Sequence, residues 1–296
     1  MESCSFAGLH PAAIALYFIL LLCTGAFTMH PCFIALSLTG AACFALRIGG
    51  RGLVRKAPLL LIPALIAAGV NVLFNHRGVT VLGHFPTGNP LTLEALIYGA
   101  AAGLSVCAVI IWCWCFYKVF SADKLMSLTG RLLPSLTAVI TLTLRFIPLF
   151  VRRFREINSA RHQFGRGASD GNLLQRLRNL AAIFSILLTR SLEDSVHTAD
   201  SMKSRGFGLP HRTSYDRFRF RRRDAVMILL MLCFGAAALW GLISGQAEFR
   251  YYPRLYHSDP CFGAVVETAG FGLLCFLPLF YEIKEALKWR LQASRL

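Results

Sequence analysis

Long apolar runs constrain this chain more than any other feature. Six stretches, Pro11–Phe27, Pro31–Leu46, Ala57–Phe74, Ala95–Tyr117, Ala225–Gly245 and Phe262–Tyr281, are almost free of charge. Each approaches the about 20 residues that a helix needs to cross a bilayer core. Backbone amides left unpaired in hydrocarbon are costly, so such runs fold as helices. The second run is short, and His30-Pro31 before it predicts a tight hairpin with the first. Soluble domains carry about 25% charged residues; here the figure is 16%, against 55% hydrophobic. Ordinary soluble enzymes are thereby excluded. The ten cysteines include no CxxC pair and no Cys/His zinc spacing, and most lie inside apolar runs as small hydrophobes. The opening MESCSFAGLH has no Lys or Arg, so no cleavable leader is expected.

A seventh stretch, Ser135–Val151, is apolar but holds Arg145 and Pro148. Charge placement decides what it is. Arg47, Arg51, Arg55 and Lys56 mark the loop after the second run as cytoplasmic. If Ser135–Val151 crossed the membrane, the most basic segment of the protein would lie outside. Treated as a surface or protein-packed helix, it leaves six spans with both termini inside. The predicted inner segments then carry 28 of the 31 Lys and Arg residues, and the outer loops carry Arg77, Arg250 and Arg254.

The expected division is therefore 1–119 with four spans, 120–223 as a cytoplasmic helical module, and 224–296 with two spans and a basic tail. Residues 118–223 hold 20 basic and 7 acidic residues. A short helix is expected over Ala122–Leu132, ended by Pro134. A long one follows from Ser135, with Leu142, Phe146, Leu149, Phe150, Phe154 and Ile157 at spacings of three and four. After a Gly/Ser/Asp break at Gly165–Gly171, a second long helix is expected over Asn172–Ser204, about 50 Å at 1.5 Å per residue. Leu173, Leu177, Leu180, Phe184, Leu187, Leu188, Leu192 and Val196 form its apolar stripe. Both helices close on an Arg-Gly pair, at Gly165-Arg166-Gly167 and Ser204-Arg205-Gly206. Glycine past a helix end and arginine in its last turn are common by themselves. Two occurrences 39 residues apart point to a paired docking device on rigid helix tips.

From about His10 to Arg223, and above all in LRFIPLFVRRFREINSARHQFGRG and SLEDSVHTADSMKSRGFG, the chain resembles the transmembrane T component of energy-coupling factor (ECF) transporters. That group includes the cobalt-transport Q subunit. Its two Ala-Arg-Gly motifs sit at the tips of cytoplasmic coupling helices; here the Ala is replaced by Gly165 and Ser204. The resemblance implies an all-α polytopic protein of a prokaryotic cell membrane with long crossed coupling helices. Gly165, Arg166, Gly167, Ser204, Arg205 and Gly206 would dock two cytoplasmic ABC-type ATPases. Leu142, Phe146, Leu149, Leu177, Leu180, Phe184 and Leu188 would cradle a membrane-embedded, substrate-binding S component, which tips over as ATP is bound and hydrolysed. The chain would be non-catalytic and need no cofactor. In keeping with this, it has no GxxxxGK[ST] phosphate loop.

Other residues have simpler readings. Glu94 and Glu267, near the ends of spans, are expected at the interface, reaching headgroups. His76, His84 and His257 read as plain loop residues rather than a metal site. The Arg217–Arg223 run suits anionic lipid, and its place beside a span argues against nucleic acid. Tyr251, Tyr252 and Tyr256 suit an aromatic belt. A permease with its own substrate path would need polar residues lining several spans, and these have few. A membrane enzyme would need a convergent catalytic group, and neither HExxH nor GxSxG occurs.

Overall fold

A computed structural model describes residues 5–49, 57–75, 78–84, 90–132, 134–209, 220–244, 249–252, 256–257 and 262–293. It shows an all-α polytopic membrane protein. Nine α-helices appear among the described residues: α1 Pro11–Phe27, α2 Pro31–Gly49, α3 Ala57–Phe74, α4 Leu93–Val119, α5 Ala122–Leu132, α6 Pro134–His162, α7 Leu173–Ser204, α8 Arg222–Ser244 and α9 Phe262–Ala293. The only strands among them form two small antiparallel pairs, Val81–His84 with Pro90–Thr92 and Phe249–Arg250 with Tyr256–His257. By length and composition α2, α4, α8 and α9 are able to cross a membrane; α1 and the Ile62–Phe74 part of α3 are apolar but shorter. The chain divides into two compact units, Met1–Leu125 with Phe218–Leu296, and Met126–Arg217.

In the first unit the helices start where the sequence provides caps. His10 and His30 each precede a proline, and their Nδ1 atoms accept from the amides of Ala12 and Cys32, both at 3.2 Å. Proline at the first helical position loses nothing, because that N–H has no intrahelical partner. The predicted tight connection between the first two spans is present, but the close pairing of a hairpin is not. Only Thr28–His30 separate α1 from α2, yet the helices scarcely touch: α2 packs on α4 and α9, while α1 packs on α8 and α4. Aromatic bulk explains the divergence. Tyr17 and Phe18 of α1 and Phe44 of α2 all pack edge-on or tilted against Trp112 of α4, whose Nε1 donates to Ser37 Oγ at 3.1 Å.

Small residues bring α3 and α4 together. Gly99 and Gly103 lie four apart, and a Cβ on Gly103 would stand 2.5 Å from the carbonyl oxygen of Ala64. Close backbone approach of this kind replaces the hydrophobic drive that lipid does not provide. Asn71 Nδ2 donates to the carbonyl of Ala95 at 2.8 Å across the same contact.

The two ends of the unit are fastened by polar groups. At one end the Phe6 amide donates to Glu282 of α9 at 2.7 Å, and Asp224 of α8 accepts from the amides of Arg221 (2.8 Å) and His10 (3.3 Å). At the other, Tyr251 Oη donates to the carbonyl of Met29 at 2.7 Å, and Asn75 Nδ2 donates to Tyr252 Oη at 2.9 Å. Tyr251 is thus buried against protein rather than displayed as a belt, although Tyr256 is exposed. Glu94 and Glu267 are corrected likewise: both are only 3% exposed. Glu94 accepts from Thr80 Oγ1 at 2.6 Å, whereas Oε2 of Glu267 is buried without a hydrogen-bond partner among the described residues. Span position alone suggested a surface place for both, but for Glu94 the segment at Gly78 and Thr80 folds over the carboxylate. Arg221–Arg223 lead into α8, while Arg51, Arg55, Lys56, His76, Arg77, Arg217, Arg219 and Arg254 lie outside the described residues.

The second unit holds the two long helices. α6 runs for 29 residues through Arg145 and Pro148 without a break, so Ser135–Val151 is only its first part. α7 has 32 residues. Its start at Leu173 follows a capping box, in which the Asn172 amide donates to Gln175 Oε1 at 3.0 Å.

Candidate functional site: two capped helix tips

The ends of α6 and α7 are built by the same backbone device. A chain leaving a helix commonly passes through one left-handed residue, usually glycine, which lets two otherwise orphaned carbonyls accept hydrogen bonds. At the end of α6, Gly165 takes φ +67°; its amide donates to His162 O at 2.9 Å and that of Arg166 to Arg161 O at 3.0 Å. At the end of α7, Gly206 takes φ +80°; its amide donates to Lys203 O and that of Phe207 to Met202 O, both at 3.0 Å. Both are complete Schellman caps.

Superposing the caps on their left-handed glycines shows what the motifs conceal. Arg166 follows its glycine, whereas Arg205 precedes its own. The two arginines that align as Arg-Gly pairs therefore occupy different cap positions. The residue matching Arg205 is Phe164, and the residue matching Arg166 is Phe207. One tip reads Phe164-Gly165-Arg166 and the other Arg205-Gly206-Phe207. The tips are reversed in order around a common turn, and sequence alignment alone hides it because left-handed φ is not written in the motif.

The surroundings differ as well. The loop after α6 is tied from several sides. Asp170 Oδ2 accepts from the Gly167 amide at 2.7 Å and pairs with His162 Nδ1 at 2.8 Å. The Ala168 amide donates to Asn158 Oδ1 at 2.8 Å, Asn179 Nδ2 to Gly167 O at 3.0 Å, and Arg161 Nε to Arg166 O at 3.3 Å. The hydrogen bond from His162, with that from Gly167, holds the Asp170 carboxyl below its ordinary pKa. Gly167 is needed for space, not for φ: a Cβ there would stand 2.9 Å from Asp170 Oδ2 and 3.0 Å from His162. At the α7 tip the bonds are local, with Ser204 Oγ donating to Ser201 O at 2.9 Å and the Leu209 amide to Gly206 O at 3.2 Å. Arg166 and Arg205 are both exposed. Among the described residues neither guanidinium has a hydrogen-bond or ion-pair partner.

The apolar stripe is where the structure is most unlike a soluble helix pair. α6 and α7 touch only over a short stretch, as crossing helices do, and Arg153 of α6 forms an ion pair with Asp194 of α7. The covered face of α7 runs through Asn179, Ile183, Leu187, Ser191, Asp194 and Thr198, in steps of three and four. Only Ile183 of these is fully buried. Leu173, Leu177, Leu180, Phe184, Leu188, Leu192 and Val196 are all exposed instead, Leu177 by 65% and Phe184 by 59%. On α6, Leu142, Phe146 and Leu149 are half-buried, with Phe146 stacked on Phe150 at 5.8 Å. The face turned outward is thus greasier than the face turned in. The sequence stripe pointed to an apolar face but gave no sign of Asn179 or Ile183; their only signal is a four-residue spacing on the neighbouring face.

Residues 9–215 match the sequence pattern of CbiQ, described as cobalt transport protein. The chain is also similar to energy-coupling factor transporter transmembrane proteins EcfT. The protein of Bacillus selenitireducens is 32% identical over 105 residues, which are 35% of this chain and 39% of that one. That of Streptococcus thermophilus is 30% identical over 98 residues (33% and 37%), and that of Lactococcus lactis subsp. cremoris 27% over 108 (36% and 41%). The matched stretches therefore span about two fifths of these relatives' lengths.

Proposed function

Because the chain belongs to the CbiQ cobalt transport protein family, we propose that it is the energy-coupling transmembrane scaffold of an ECF-type importer. In this reading α6 and α7 are the coupling helices, and both chain termini face the cytoplasm. Two ABC-type ATPases dock at Gly165-Arg166-Gly167 and Ser204-Arg205-Gly206. One S component packs on Leu142, Phe146, Leu149, Leu177, Leu180, Phe184 and Leu188. ATP is hydrolysed on the ATPases, and the S component selects the cargo, a vitamin or a transition-metal ion. Basic segments beside the spans rest on anionic lipid.

The observation that carries this reading is the outward apolar face of α7 next to two rigid, arginine-bearing tips. Exposed apolar surface on this scale marks a partner site. An exposed arginine on a capped helix is a preorganised donor for a carboxylate. A rigid helix also transmits displacement, which a loop absorbs.

Affinity purification of the tagged chain from membranes tests the proposal. Two related ATPases, or one as a homodimer, should co-purify with a small membrane protein. Arg166→Glu with Arg205→Glu should remove the ATPases while leaving membrane insertion intact. Undiminished ATPase recovery from the double variant contradicts the docking role.

A further inference from the structure

The tip of α6 displays an unused aromatic side chain. Phe164 is 81% exposed, against 44% for Phe207 at the other tip. The cap positions explain the difference. Phe207 follows the left-handed glycine, where an apolar residue ordinarily packs on the residue three before the cap, here Met202. The equivalent pair at the α6 tip is Arg166 and Arg161, which cannot make such a contact. Phe164 precedes the glycine; its amide donates to Arg161 O at 3.1 Å, but its side chain takes no part in the cap.

An exposed phenylalanine at the end of a cation-rich helix costs solubility, and the surrounding loop does nothing to hide it. The loop fixes it in place instead. The two cap bonds, the Asp170 bonds to Gly167 and His162, and the Asn158 and Asn179 bonds hold residues 162–170 in one conformation. What this immobilised turn presents outward is one large apolar ring and one guanidinium, on either side of Gly165. Rigid aromatic and arginine anchors contribute most to association, because little side-chain and loop freedom remains to be lost.

We propose that the α6 tip docks by two prongs, with Arg166 in an acidic groove of an ATPase subunit and Phe164 in an apolar pocket beside it, whereas the α7 tip docks by Arg205 alone. The inference rests on the ATPase-docking reading above. The occupant follows from charge and chemistry. A surface that takes an unpaired guanidinium must offer carboxylates, which a lipid-facing S component has little reason to expose. The ring is held one residue from the backbone turn that aims the guanidinium, so one partner must receive both.

The test uses the complete membrane complex, co-expressed with its ATPase and S subunits, and reads ATPase binding to the purified chain in nanodiscs. Phe164→Ala should weaken ATPase binding about tenfold, Phe164→Leu should restore most of it, and Phe207→Ala should change it less than about threefold. Amide hydrogen exchange over residues 162–170 checks that the turn is intact in Phe164→Ala. A photo-crosslinking residue at 164 should capture an ATPase subunit. If Phe164→Ala binds as the parent does while Arg166→Ala does not, the second prong is overturned and the docking reading survives. If Arg166→Ala and Arg205→Ala also bind normally, the docking reading itself fails. Crosslinks only to the S component or to lipid overturn the assigned occupant.

Discussion

The two tips share a backbone cap and differ in nearly everything mounted on it. The α6 tip carries its arginine after the left-handed glycine, exposes its phenylalanine, and is tied down by Asn158, His162, Asp170 and Asn179. The α7 tip carries its arginine before the glycine, partly covers its phenylalanine, and is held among the described residues by hydrogen bonds of its own last turn. Two copies of a motif are thus not two copies of a surface. The left-handed glycine reverses the chain, so moving an arginine across it moves the guanidinium from the helix wall to the departing strand. On the proposed docking role, a pair of ATPase grooves would have to receive these tips in two poses.

The largest expected effect separates the arginines. Reversing either charge opposite an acidic groove costs about 2–5 kcal/mol of binding, so Arg166→Glu and Arg205→Glu should each release one ATPase in a subunit count by native mass spectrometry. Loss of both ATPases from either single variant would show that the tips act as one site. Next comes an exchange that keeps composition constant. Phe164→Arg with Arg166→Phe gives the α6 tip the order of the α7 tip, and ATPase affinity should fall by more than tenfold if order sets the pose. Retained affinity would make the caps interchangeable.

Smaller effects come from the turn itself. Gly165→Ala and Gly206→Ala each force a Cβ into left-handed backbone at about 1–2 kcal/mol. The two should cost about the same, because the nearest atom a Gly206 Cβ meets is Cδ1 of exposed Leu209 at 2.9 Å, which rotates away, and Gly165 has open space. Local hydrogen exchange at each cap measures this. The smallest effect is confined to one tip. Asp170 has its pKa lowered on folding, so the order it contributes is present above the ordinary carboxylate value of about 3.9 and is lost as pH falls through the lowered one. Asp170→Asn, or acid, should raise exchange at Gly167 and Ala168 relative to the α7 tip at the same pH. Equal changes at both tips would remove Asp170 as the source of the difference.

Several elements were legible in the residues. The helices that begin at Pro11, at Pro31 and after Asn172, and the glycine-bearing ends of both long helices, lie where the residues placed them. The same local chemistry could not report which face of a helix is covered. Glu94 and Glu267 sit near span ends in the sequence and are buried in the fold, Glu94 under the segment at Gly78 and Thr80, which lies beyond any local sequence window around it. On α7 the apolar period is easy to see, yet the packing face lies one residue round, at Asn179, Ile183 and Asp194, since ion pairing with Arg153 and the Asn179 bonds orient the helix.

The sequence by itself determined the class and the ends: apolar length forces membrane helices, and Gly, Pro and capping residues fix where helices begin and stop, because both are properties of short windows. Tertiary structure alone decided which of the six apolar helices pack together, which acids are buried, and that the greasy face of α7 points outward. Those depend on contacts between residues far apart in the chain. Only the folded backbone set the opposite order of the two tips, because left-handed φ at Gly165 and Gly206 decides which side of each turn its arginine occupies.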